Sequence, residues 1–123
     1  PFARSAKRHG LHQIFLVSEY TDAARLKKIE RLGSGFLYVV SALGVTDIKK
    51  DISKNLPALL SRLKRQTNLP LVVGFGISAP HHLKQLTKTK ASAAIVGSFL
   101  VKTPTYKLAG SLKKLKNAQH FDR

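Results

Sequence analysis

Two glycine motifs offer the first chemistry in this sequence. One is "GFGIS", Gly74 to Ser78; the other is "GS", Gly97 and Ser98. Glycine lets backbone N–H groups approach a ligand closely, and a helix start just behind it favours an anion. Two such motifs, one strand–helix unit apart, fit a phosphate site like those after the last two strands of (βα)8 barrels. The same glycines also serve as plain strand-to-helix turns with no ligand. The remaining reactive side chains form no comparable group. His81 and His82 are adjacent on one predicted first helical turn, so they point apart and cannot make an i, i+4 metal pair. His9 and His12 flank a turn. These four of the five histidines read as surface or helix-end residues. Ser18, Ser41, Ser78 and Ser98 have no His–acid partner indicated by the sequence, so a hydrolase triad is unsupported. The absence of cysteine removes thiolate chemistry, disulfides and cysteine-based zinc sites. No metal site is expected from these residues.

Positioning the glycine motifs requires strands that end at them, and the chain alternates helix and strand patterns throughout. "PFARSAKRHG" reads as a helix end with Gly10 beyond its last turn. "HQIFLV" is a short buried strand, Ile14 to Val17. Thr21 or Asp22 caps "AARLKKIERLG", in which Leu26, Ile29 and Leu32 form the apolar stripe and Gly33 the stop. "GFLYVV" is the second strand, apolar enough to be covered on both faces. After a loop, "SKNLPALLSRLKRQ" is an amphipathic helix burying Leu56, Leu59, Leu60 and Leu63. "LPLVVGFG" is the third strand. "SAPHHLKQLTKT" is a helix with Ser78 as cap and Pro80 in its first turn. "AAIVG" is the fourth strand, and "TYKLAGSLKKLKNA" is a last helix with Leu108, Leu112 and Leu115 in one stripe. The strand spacing suits parallel pairing through helical crossovers. Residues 1–123 read as a single (βα)4 domain.

In series, these segments resemble one family. "GSGFLYVVSALGVTD", "LPLVVGFGISAP" and "AAIVGSFLVK" are similar to consecutive motifs of the tryptophan synthase alpha subunit, and "PFARSAKRH" and "RLKKIERLGSGF" match the same family in order. The resemblance implies an α/β fold, half of a (βα)8 TIM barrel, with the four strands equivalent to strands 5–8. It implies a reaction that uses no metal or organic cofactor, the cleavage of indole-3-glycerol phosphate to indole and glyceraldehyde 3-phosphate. Tyr38 then corresponds to a substrate-pocket tyrosine and Thr46 to a threonine of the mobile loop after the second strand here. Gly74, Phe75, Gly76, Gly97 and Ser98 correspond to the phosphate-binding turns. Other features depart from the pattern. The family's catalytic glutamate and aspartate belong to the half that has no counterpart in these residues, so no catalytic residue is assigned. The loop motif "GVTG" ends here in Asp47, whose carboxylate repels a phosphate. Ala42 replaces the motif's usual arginine. The other acids, Glu19, Asp22, Glu30, Asp51 and Asp122, match no family catalytic position and read as helix caps or local charge balance.

Charge points elsewhere. The 22 Lys and Arg against 6 Asp and Glu give a net +16. From Ile52 to Phe121 there are twelve basic residues and no acid. They recur on successive helices: Arg62, Lys64 and Arg65; then Lys84, Lys88 and Lys90; then Lys107, Lys113, Lys114 and Lys116. One broad basic outer face is expected, suited to a polyanion through counterion release. Aromatics at 7% fit contact with a phosphate backbone better than base stacking. No apolar run spans a bilayer, and no signal-peptide pattern opens the chain, so no membrane association or secretion is expected. Without Met at position 1, Pro1 is not a translation start, and the chain is expected to be processed or part of something longer. The leading expectation is a non-catalytic structural protein contacting rRNA and neighbouring proteins in a mitochondrial or other organellar ribosome. The alternatives are the C-terminal half of a working lyase and a phosphate-ligand binding module. In each case the open sheet edges and inner face call for a partner or second half.

Overall fold

The computed structural model describes residues 1–40, 53–74 and 76–118. Its elements are α1 (Phe2–Arg8), β1 (Phe15–Val17), α2 (Ala23–Leu32), β2 (Leu37–Val40), α3 (Leu56–Lys64), β3 (Leu71–Gly74), α4 (Pro80–Leu86), β4 (Ala93–Ala94), α5 (Ser98–Lys102) and α6 (Thr105–Asn117). The four strands form one parallel sheet in sequence order, β1-β2-β3-β4. Every strand therefore pairs with the next across a helical crossover, as the alternating pattern predicts. The strands are shorter than their apolar runs, and α5 covers residues to which the sequence pattern assigns no separate element.

The sheet's two faces differ. On β2, Leu37 and Val39 are fully buried and face the helices, while Tyr38 and Val40 are half-buried on the other face. On β3 all four residues are buried. On edge strand β1, Val17 joins the core but Leu16 is 60% exposed on the inner face, so the strand is not covered on both sides. The core sits between sheet and helices. Leu56, Leu59, Leu60 and Leu63 of α3 all enter it, as the stripe predicts. The other stripes fill only partly. Leu26 and Ile29 of α2 are buried but Leu32 is not. Leu115 of α6 is buried, Leu108 half-buried and Leu112 exposed. α1 buries no residue.

Polar groups pin the connections. Asp22 is the α2 cap, its Oδ1 accepting from the Arg25 N–H at 2.7 Å. Glu30 Oε1 accepts from the Thr67 hydroxyl at 3.0 Å and the Asn68 N–H at 3.1 Å, tying α2 to the turn before β3. Gly10, just past α1, has φ of 66°, the left-handed conformation that ends helices. Gly33 stops α2 in an extended conformation instead.

Candidate functional site

The carboxyl ends of β2, β3 and β4 lie side by side, and of the predicted site residues Tyr38, Gly74, Gly76, Gly97 and Ser98 are described on these strands or just beyond them. Tyr38 pairs in register with Val72 and Val40 with Gly74. The Tyr38 side chain runs along the inner face and crosses the Gly74 backbone. A Cβ on Gly74 would overlap the phenol oxygen and ring. Glycine is therefore required at this strand end by side-chain proximity, which complements the ligand-approach reading of the motif. Partial burial pushes the Tyr38 phenol above its ordinary pKa, because desolvation penalises the phenolate. The ring thus stands at the mouth of the strands as a neutral hydroxyl.

Beyond Gly74 the chain turns at Gly76, whose φ of 75° excludes a side chain at low cost. Ile77 then drops into the core at 4% exposure, and Ala79 is extended before α4 begins at Pro80. Ser78 is not the cap that the sequence pattern predicts. The N-cap position is Ala79, with no side-chain cap bond. The Ser78 N–H instead donates to Nδ1 of His82 at 3.2 Å. His82 is only 1% exposed, so its placing on the surface is corrected; it is a helix-end residue turned inward. Pro80 starts the helix, where its missing backbone donor costs nothing and its fixed φ suits the first turn. His81 stays exposed, and its ring lies edge-on 4.2 Å from that of His82, so the two rings touch instead of pointing apart as expected.

At the neighbouring strand end, Gly97 and Ser98 are exposed, and Ser98 opens α5. Gly97 has open space where a Cβ would be, so its role there is not enforced by packing. Phe75 and Thr46, with Ala42 and Asp47, lie outside the described residues. So do Ser41, Asp51 and Asp122. Among the described residues, no three His, Cys, Asp or Glu side chains come together as a metal site. His12 Nδ1 and the Ser34 hydroxyl are 3.0 Å apart, an exposed pair that the sequence reading missed because 22 positions separate them.

The basic residues divide. Lys64, Arg65, Lys84, Lys88, Lys90, Lys107, Lys113, Lys114 and Lys116 are exposed, as predicted. Arg62 is not part of that free surface. Its guanidinium forks onto the Thr21 carbonyl at 2.8 Å and the Glu19 carbonyl at 3.1 Å, binding α3 to the loop after β1. A planar, multi-donor group suits that bridging task, and this corrects its assignment as a polyanion contact. Among the described residues no helix is long and apolar enough to cross a membrane.

Comparison with known proteins agrees with this geometry. The sequence model of the tryptophan synthase alpha chain family matches residues 1–123. The Methanosarcina barkeri tryptophan synthase alpha chain is 47% identical over 98 residues, covering 80% of this chain and 36% of the relative. The Arabidopsis thaliana alpha chain is 37% identical over 97 residues, covering 79% and 35%. Among solved structures, a chain of the Pyrococcus furiosus tryptophan synthase α2β2 complex superposes with a TM-score of 0.81 at 34% identity, covering 94% of this chain and 50% of that one. This chain thus spans half or less of the length of these relatives, and its four parallel strands are part of a TIM barrel. The chain belongs to the tryptophan synthase alpha chain family.

Proposed function

We propose that these residues are the C-terminal half of an alpha-subunit barrel and supply the phosphate side of a site for indole-3-glycerol phosphate. The observation that carries the reading is the Tyr38–Gly74 approach at the carboxyl ends of adjacent parallel strands, beside the Gly76 and Gly97 turns. In TIM barrels this is the end where substrates bind. The neutral phenol of Tyr38 stands over Gly74 at this end of the sheet. The backbone N–H groups at Gly76 and Gly97 and the Ser98 hydroxyl are the available donors for a phosphate. Carbon–carbon cleavage also needs a positioned acid and base. In the family these come from the other half of the barrel, so the residues described here hold the substrate rather than break it. The assembled barrel's partner is the tryptophan synthase beta subunit.

The test is complementation. The chain alone should release no indole from indole-3-glycerol phosphate. Mixed with the first four strand–helix units of a related alpha chain, it should gain turnover. Activity of the chain alone, or none after a demonstrated association, would overturn the reading. Binding is tested separately by calorimetry with glycerol phosphate. Asp47→Gly should bind more tightly, because it removes a carboxylate from the loop that faces the phosphate in the family pattern.

Charge favours a second reading, a polyanion such as RNA held on the outer helices. The net +16 and the nine exposed Lys and Arg named above are its support. The relatives add nothing to it, and the ribosomal location expected from charge draws no support from them.

A further inference from the structure

We infer that His82 is a positioning residue, an uncharged buried acceptor that holds the Gly76–Ser78 segment in place for a ligand. The inference rests on the phosphate-side reading above and adds to it the group that fixes the turn. His82 occupies the third position of α4, after Pro80 and His81. In a capping box the third helical residue reaches back to the N-cap N–H, usually with glutamate or glutamine. His82 does this one residue further out. Its Nδ1 takes the N–H of Ser78 at 3.2 Å, while the ring is withdrawn from solvent. The N–H donates, so Nδ1 carries a lone pair and the ring is the Nε2–H tautomer.

Two consequences follow for a ligand. First, the Ser78 N–H points into the protein and is spent on the imidazole, so an anion at this turn must be met by the N–H groups before it. Gly76, at φ 75°, and Ile77, anchored in the core, sit between Gly74 and the His82 link. Gly74 is thus held by the Tyr38 packing and Ser78 by the His82 bond. Second, the acceptor chosen is neutral. A carboxylate at the same place would hold Ser78 equally well but would set a negative charge beside a bound phosphate, which repels it. Imidazole supplies the acceptor without that penalty.

The experiment compares His82→Gln, His82→Leu and His82→Glu in the full chain. Hydrogen exchange of the Ser78 amide, followed by NMR without ligand, reads the link directly. Calorimetry with glycerol phosphate reads the site. Imidazole nitrogen shifts in the unsubstituted chain should report the Nε2–H tautomer. His82→Gln should keep Ser78 protected and binding near the unsubstituted value. His82→Leu, which keeps apolar volume but has no acceptor, should lose protection and weaken binding about tenfold, the loss of one hydrogen bond. His82→Glu should protect Ser78 yet bind more weakly than His82→Gln. Equal Ser78 exchange in the unsubstituted chain and His82→Leu overturns the inference whatever the phosphate does. If the Ser78 amide separates Leu from Gln but glycerol phosphate binds to neither nor to the unsubstituted chain, the link stands and the phosphate reading fails.

Discussion

A methyl group on Gly74 would fall on the Tyr38 phenol, and neither strand has room to move aside within a paired parallel sheet. Gly74→Ala should therefore destabilise the chain by about 1–3 kcal/mol, the usual range for overpacking. Tyr38→Ala should relieve the clash, so a double-mutant cycle by urea unfolding should show strong coupling between the positions. Additive losses would mean that Tyr38 does not occupy the space above Gly74. Titration of Tyr38 offers an independent check. Its phenol pKa is raised above 10.0 by burial, so between the unfolded and folded values the folded state holds a proton that the unfolded state has lost. The stability it contributes is complete below about pH 10 and is lost as pH rises through the folded value. Tyr38→Phe should flatten that alkaline decline in denaturant midpoints. The motif's strand-end position is legible in "GFG", but the reason its first glycine cannot be anything else lies in a tyrosine 36 positions earlier. Parallel pairing alone brings the two together.

Among the elements, helix ends and crossovers are held by few polar groups, and each has a measurable weight. Asp22→Ala removes the α2 cap and should cost about 1 kcal/mol. Glu30→Ala should cost more, about 1.5–3 kcal/mol, because one carboxylate oxygen serves both Thr67 and Asn68 across elements. Urea unfolding of the two variants tests the order, and a larger loss for Asp22→Ala would reverse it. A cap at Thr21 or Asp22 is readable locally, since both stand just before an amphipathic run, and the structure selects Asp22. The Glu30 and Arg62 roles are not. Glu30 reads as one more charge on a helix and Arg62 as one more cation on a basic face. Their partners lie 37 to 43 residues away, and only the packing of α2 against the turn before β3, and of α3 against the loop after β1, brings them into reach.

At the scale of the whole molecule, the sheet's inner face is incomplete. Leu16 is exposed, Tyr38 and Val40 are half-covered, and edge strand β1 pairs on one side only among the described residues. Apolar surface next to an open edge drives association. In sedimentation the chain should run as more than a monomer, and adding the complementary barrel half should replace self-association with a defined pair. A sharp monomer peak with a cooperative melt would contradict this. The basic outer helices predict a separate behaviour, retention of RNA at low salt and its loss as salt rises, the signature of counterion release. Retention should be insensitive to Arg62→Met, since that guanidinium is engaged internally, and reduced by Lys113→Glu with Lys114→Glu on α6. No RNA retained at low salt would leave the charge as a property of the surface alone.

The order of the four strands, the α3 stripe, a cap at Thr21 or Asp22 and the family follow from the chain alone, because each depends on periodicity or on motifs within a few consecutive residues. The choice of His82 rather than Ser78 as the device at the start of α4, and of Arg62 as an internal tie rather than a surface cation, belongs to the tertiary structure. Hydrogen-bonding groups near a turn have several partners within reach in sequence terms. Which bond forms is decided by burial, since a polar group withdrawn from water must find the partner that packing leaves beside it.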